Sequence, residues 1–321
     1  MNKESVGLLA CLVTVICWTV GTFSFTRAAR LYAPAAVNRV RLLFALVILT
    51  LLACVVLWVS PIHLFTLAHP EQFCWFGLSG IIGFTFGDHF SFTSFRILGS
   101  RRATVLVSIA PAASLVSGIY LLDEHLSWIG FIGMSVSIGG LLLLMLSREE
   151  QKDVVEEGYG SFKIGILYGL AGAVCQGIGL VLSKKGFTSA YPVEIHPLYA
   201  TWLRLITATC SGFIITSFKS NPMKEVVHVL KSKDIFLPVI KGTVFGPVLG
   251  VTFSLIAAGS LDVSVAQTIL SLTPASVLLT TMMLHKEKIY YTSFLSILIC
   301  MIGVFVLVWR QTILTLLFES H

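Results

Sequence analysis

Long uncharged apolar runs separated by short polar breaks make up most of this chain. The runs at 6–26, 103–122, 126–147, 164–183, 263–284 and 289–309 hold between 18 and 22 residues each, without Asp, Glu, Lys or Arg. Each is long enough to cross ~30 Å of hydrocarbon as a helix. Adding the more interrupted runs gives ten predicted spans: 6–26, 37–59, 73–95, 102–122, 127–147, 163–183, 197–218, 236–258, 263–284 and 290–309. The loops between them leave no room for a soluble domain. The expected fold class is all-α integral membrane, with ten transmembrane helices.

The pattern is duplicated. The stretch 108–144, SIAPAASLVSGIYLLDEHLSWIGFIGMSVSIGGLLLL, recurs at 271–307. At an offset of 163, Ser108, Pro111, Ala112, Glu124 and Gly140 meet Ser271, Pro274, Ala275, Glu287 and Gly303. The same offset pairs Arg41 with Arg204, Gly83 with Gly246, and Gly87 with Gly250. At the start of each half it falls to 158, pairing Gly7 with Gly165, Cys17 with Cys175 and Gly21 with Gly179. The expected organisation is a first repeat at 1–147, a polar linker at 148–162, a second repeat at 163–310 and a short tail at 311–321. Five spans is an odd number, so the second repeat enters the membrane in the opposite direction to the first. Two inverted-topology five-helix repeats are the architecture of secondary transporters, which bind substrate near midplane between the halves.

Composition agrees: 56% of residues are hydrophobic and 12% charged, where a soluble domain carries about a quarter charged. The first run has no small-x-small cleavage site and matches an internal copy, so it reads as a retained helix. Seven cysteines fall inside predicted spans with no CxxC or Cys/His spacing, so neither a disulfide nor a metal site is suggested. No cofactor is expected. A net charge of +6, spread over loops, suits anionic lipid headgroups. No interleaving of basic and aromatic residues points to nucleic acid. The expected partners are membrane lipid and a small-molecule substrate, and oligomeric state does not follow. Summed by side, four basic residues fall on the side holding both termini and seventeen on the other. By the positive-inside rule the termini lie outside the cytoplasm.

Asp88-His89 is the sharpest chemical signal. An ionisable group some fifteen residues into a span costs ~3 kcal/mol or more unless it is paired or faces water. The second repeat has Val251 in its place, so the duplication itself did not need the acid. Asp88 is a candidate for proton coupling or substrate contact; the alternative is a structural pair with Arg96, Arg41 or Arg204. Thr14, Trp18, Gly21 and Phe25 share one helical face, opposite Gly172, Gln176, Gly179 and Ser183. Trp18 and Gln176 are candidate substrate contacts across a pseudo-twofold axis, the alternative being that Trp18 simply packs; Thr14 and His89 are further candidates. Thr104, Ser108 and Pro111, repeated as Gln267, Ser271 and Pro274, give a polar stripe at i, i+4, i+7 beside a proline kink. That pattern suits a cavity wall with Pro111 and Pro274 as hinges, or plain interhelical hydrogen bonding. Structural roles are expected for the others. Arg41 and Arg204 anchor at the headgroups by snorkelling, Glu124 and Glu287 cap helices, and Gly83, Gly87, Gly246 and Gly250 allow close packing.

The repeated SxxPxx…E…G segment, the Arg early in the second helix of each half, and the ten-span count resemble the drug/metabolite transporter superfamily, in its EamA-type branch. Gly87-Asp88 followed by Phe90 and Phe95 is similar to the third helix of many bacterial members. The resemblance covers nearly the whole chain. It implies a bacterial inner-membrane carrier without enzymatic activity, an exporter of amino acids or related metabolites, with a cavity lined by helices 1, 3, 4, 6, 8 and 9. Members are drawn with both termini in the cytoplasm, opposite to the charge count here; the loop at 63–72 has no Lys or Arg. An intramembrane aspartyl protease would need two facing carboxylates and GxGD, but the tetrapeptide here is Thr85-Phe86-Gly87-Asp88. A scaffold or sensor would need an extramembrane domain.

Overall fold

The computed structural model describes residues 3–122, 128–188, 195–218, 221–260, 269–270, 272–285, 290–310 and 313. Among these residues the chain is helical with no strand. In the first half, α1 is Lys3–Leu31, α2 Pro34–Leu57, α3 Pro70–Gly80, α4 Asp88–Val107, α5 Ala110–Leu121 and α6 Trp128–Leu146. The linker folds as α7, Arg148–Glu157. The second half has α8 at Phe162–Phe187, α9 at Pro197–Ser217, α10 at Pro222–Lys231, α11 at Lys233–Thr243, α12 at Val251–Ser260, α13 at Thr273–Thr280 and α14 at Tyr291–Val308.

Prolines punctuate the helices as local chemistry requires. Helices α2, α3, α9 and α10 begin on Pro34, Pro70, Pro197 and Pro222, where the fixed φ suits the first turn and the missing N–H would have had no helical partner. Side chains of His69, His196, Asn221 and Ser147 accept from the first-turn N–H groups of α3, α9, α10 and α7. Within α4, Gly99 adopts φ 78 and ψ 169, a left-handed backbone that L side chains rarely enter. It separates the predicted spans at 73–95 and 102–122.

Between α3 and α4 the backbone is π-helical over Ile81–Gly87, and between α11 and α12 over Val244–Gly250. These segments are 163 residues apart, so the duplication carries a rare backbone form as well as a sequence pattern. Residues 108 and 109 break the chain between α4 and α5, leaving the flanking helices bent by 49°. Pro111 is the second residue of α5, and Pro274 the second of α13. The expected kink at Pro111 takes the form of this break, and both prolines stand at the second position of a restarted helix, where the missing N–H has no helical partner to lose.

The halves interlock. Helix α1 packs on α11 and α12, and α8, its equivalent, packs on α3 and α4. The equivalent helices α2 and α9 pack together, as do α6 and α14. Contacts fix the sense of each pair. Arg39 reaches Thr216 while Thr50, farther along α2, meets Trp202, earlier in α9. Ser137 meets Cys300 and Ser147 meets Thr292. Both pairs run antiparallel. A Cβ on Gly140 would lie 2.7 Å from the Cys300 nitrogen, and one on its equivalent Gly303 2.4 Å from that of Ser137. Only glycine lets these backbones meet.

Five helices are long and apolar enough to cross a membrane: Glu4–Leu31, Pro34–Leu57, Phe162–Phe187, Pro197–Ser217 and Lys233–Ser254. Pro70–Val107 with Ala110–Leu121 makes a bent sixth, and Trp128–Leu144 and Tyr291–Val306 are shorter apolar helices. Large apolar side chains such as Ile16, Val55 and Leu167 stay exposed, as lipid-facing residues would. Between α9 and α11 the polar stretch forms α10, a short surface helix with Val226 and Val229 turned into the core.

At one end of the bundle, α7 is more than a polar link. Glu150 is fully buried and takes two bonds from Arg101, at 2.6 and 3.1 Å, with Arg102 and Ser293 also bonded to it. Arg102 extends to Asp153 at 3.1 Å and Glu157 at 3.2 Å, and Arg30 pairs with Glu157. The Tyr290 phenol donates to Asp153 at 3.1 Å. The linker thereby ties α1 and α4 to α14.

Candidate functional site

The polar centre of the bundle lies where α8 crosses the π-helical segment of the third span. A Cβ on Gly179 would sit 3.1 Å from the Gly83 Cα, so the two backbones touch. This contact sets Gln176, one turn earlier on α8, beside Asp88 at the end of the π segment. The Gln176 amide donates to Asp88 Oδ1 at 2.8 Å and to the Gly83 carbonyl at 3.4 Å. Arg41 of α2 donates to Asp88 Oδ2 at 2.5 Å. One turn before it, Asn38 donates to the Phe84 and Thr85 carbonyls at 2.9 and 3.3 Å. Side chains from α2 and α8 thus satisfy carbonyls of the irregular segment, which an apolar interior requires.

Asp88 is 7% exposed and Arg41 5%. The carboxylate has a cation and an amide, while the Arg41 guanidinium lies 5.5 to 5.8 Å from the ring centres of Phe25, Phe84 and Phe92. Aromatic faces attract a cation at that range. Arg204, the equivalent of Arg41, reaches the same place from α9: its guanidinium lies 4.3 Å over the Phe84 ring and its Nη2 3.3 Å from where a Gly83 Cβ would be. Both arginines therefore point into the bundle, against the snorkelling expected of them. Seven residues into a helix leaves an arginine free to turn either way, and here the acid and the aromatic rings inside offer more than the headgroups.

The equivalent crossing, α1 against the π segment Val244–Gly250, repeats this geometry with different side chains. Gly21 meets Gly246, and a Cβ on Gly250 would lie 2.5 Å from the Trp18 ring. Thr14 is fully buried and its hydroxyl reaches the Gly250 carbonyl at 3.5 Å, besides bonding Ala10 at 2.8 Å. Trp18 and Gln176 are equivalents, yet each packs on its own crossing: Gln176 bonds Asp88, and Trp18 covers Gly250. The His89 ring lies 5.7 Å from that of Phe90. Ser108 is buried at the break between α4 and α5, and Thr104 spends its hydroxyl on the Ser100 carbonyl. Gln267, Ser271, Glu124 and Glu287 lie outside the described residues.

Sequence reasoning offered Arg96, Arg41 and Arg204 as partners for Asp88, and the structure pairs it with Arg41. It missed Asn38, although Asn three residues before an intramembrane Arg places two polar groups on one face. It also missed Glu150, hidden in a stretch that reads as solvated.

The profile of the EamA-like transporter family matches residues 5–146 and again 163–309. The chain belongs to the EamA-like transporter family. It is a multi-pass membrane protein and a transporter of the drug/metabolite type. A solved structure described only as "Crystal structure of protein" superimposes with a TM-score of 0.64 at 16% identity, over 99% of this chain and 100% of that one. At that identity the likeness speaks for the fold. No curated protein matches the chain.

Proposed function

We propose that this EamA-like protein is a secondary carrier that moves a small metabolite, an amino acid or related compound, across the bacterial inner membrane, as an exporter. Its repeats, 1–147 and 163–310 joined by 148–162, rock against each other around the crossing of α8 with the third span. One observation carries this reading. Equivalent helices, α2 with α9 and α6 with α14, run antiparallel, as an inverted repeat requires, and the ion pair of Arg41 with Asp88 lies inside the assembly they form. Inverted repeats offer two related conformations, one open to each side. In this reading ten spans cross the bilayer, and Pro111 and Pro274 restart helices at the hinges. Trp18, Thr14, His89, Ser108, Gln176, Gln267 and Ser271 are available to the substrate. Asp88 couples transport to protons: its carboxylate is held by Arg41 in the conformation seen here, and exchanges a proton when that pair opens.

Four of the seventeen basic residues on the richer side, Arg39, Arg41, Arg101 and Arg102, are buried in pairs and report no orientation. The remaining thirteen still outnumber four, which supports termini outside the cytoplasm.

The test is flux of a mass-resolved metabolite pool in proteoliposomes, with and without a pH gradient, for wild type and Asp88→Asn. Gradient-driven flux that the variant loses supports both carrier and coupling. Equal flux in the variant removes Asp88 from coupling, and no flux of any compound overturns the carrier reading.

A further inference from the structure

The charges inside the bundle do not balance. Duplication supplied two equivalent arginines, Arg41 and Arg204, but only one acid; where the second repeat would carry the counterpart of Asp88 it has Val251. The carboxylate of Asp88 belongs to Arg41 at 2.5 Å. Among the described residues no hydrogen bond or ion pair within contact distance engages the Arg204 guanidinium, which meets the charge of Asp88 only from farther off. Its Nε is buried without a partner, and its guanidinium carbon lies 4.3 Å from the centre of the Phe84 ring. A guanidinium cannot shed its proton in a protein, and an ionised group removed from water without an anion is costly. Arginine suits planar, two-pronged recognition of a carboxylate. Phe84 already covers the cation from one side, so the N–H groups are what remain for a ligand.

We propose that Arg204 is the anchor for the carboxylate of the transported metabolite, which makes the substrate an organic acid or an amino acid held by its acid group. This rests on the carrier reading for its physiological meaning, though the binding it asserts is separable from flux. When the ligand docks, its carboxylate completes for Arg204 the pair that Asp88 completes for Arg41. Each repeat then contributes one arginine and each arginine has one acid. Asp88 is left free of substrate contact, and a cationic substrate is disfavoured, since it would meet two arginines and an acid already held.

The experiment uses the full chain in detergent and in liposomes. Thermal stabilisation is measured with matched pairs, free amino acids and their des-amino acids against the corresponding amides, and flux of the same compounds is followed in parallel. Wild type is expected to prefer at least one carboxylate over its amide by tenfold or more. Arg204→Gln should remove that preference, and Arg204→Lys, which keeps the charge and guards against a folding defect, should retain it at lower affinity. Equal responses to carboxylates and amides in wild type, or an undiminished preference in Arg204→Gln, would overturn the proposal. Carboxylate stabilisation without flux would leave the anchor standing and sink the carrier. Flux without carboxylate preference would do the reverse.

Discussion

The two crossings are built on one plan and filled with opposite chemistry. In each, the first helix of one half meets the π-helical segment of the other half, glycine against glycine: Gly179 on Gly83, Gly21 on Gly246. Around the first pair stand Gln176, Asp88, Arg204 and the bonded hydroxyls of Ser79 and Ser183, 2.7 Å apart. Around the second stand Trp18 on Gly250 and Phe25 on Gly242 and Gly246. Because Phe25 is the counterpart of Ser183, and Trp18 of Gln176, an apolar filler replaces a polar bond at each equivalent place. Duplication preserved the close approach, which is geometry, and released the side chains around it. One crossing became a charged site and the other an aromatic packing seam.

The largest effect should come from unbalancing the charged crossing. Asp88→Ala strands Arg41 in the interior and is expected to cost about 3–5 kcal/mol, and the double variant Asp88→Ala with Arg41→Met less than that single change. Unfolding midpoints in mild detergent arranged as a double-mutant cycle check this; additive losses would show that the pair is not coupled. Next, Gln176→Leu removes a bond to a charged group, worth about 1.5–3 kcal/mol, whereas Trp18→Leu at the equivalent place leaves no polar group unpaired and should leave any pH dependence of stability unchanged. Titrated thermal melts of both variants separate the cases. The smallest contrast is between the glycines. A methyl at Gly179 meets backbone at 3.1 Å and at Gly21 only at 3.5 Å. Gly179→Ala is therefore expected to cost about 1–3 kcal/mol, and Gly21→Ala no more than about 0.5 kcal/mol. Equal losses would mean that the two crossings are equally tight.

Much of this was legible in the sequence because it depends on covalent order. The offsets of 163 and 158, the helices, the glycine pairs and the place of Asp88 all follow from spacing and hydropathy. What could not be read was set by partners distant along the chain. Arg96 lies on the same helix as Asp88 and was as plausible a partner as Arg41; only the packing of α2 on α4 decides between them. The inward turn of Arg41 and Arg204 depends on Phe25, Phe84 and Phe92 arriving from other helices. The π segments gave no signal because IIGFTFG and VFGPVLG share glycines rather than any code for an extra residue per turn. Glu150 was missed for the opposite reason, since its neighbours in sequence are all polar and its burial comes from Arg101, Arg102 and Ser293.

That buried glutamate sets an order of assembly as the chain emerges from the ribosome. Arg41 and Asp88 both belong to the first repeat, so their charges can neutralise each other as soon as the third span enters the membrane. Arg101 and Arg102 must wait for Glu150, synthesised some fifty residues later, and the Ser293 hydroxyl that completes the cluster comes only with the last span. A nascent first half therefore carries three positive charges at one end, Arg30, Arg101 and Arg102, whose acids arrive only with the linker. The protein is a duplication by descent, but its first half matures only when its last helix is made.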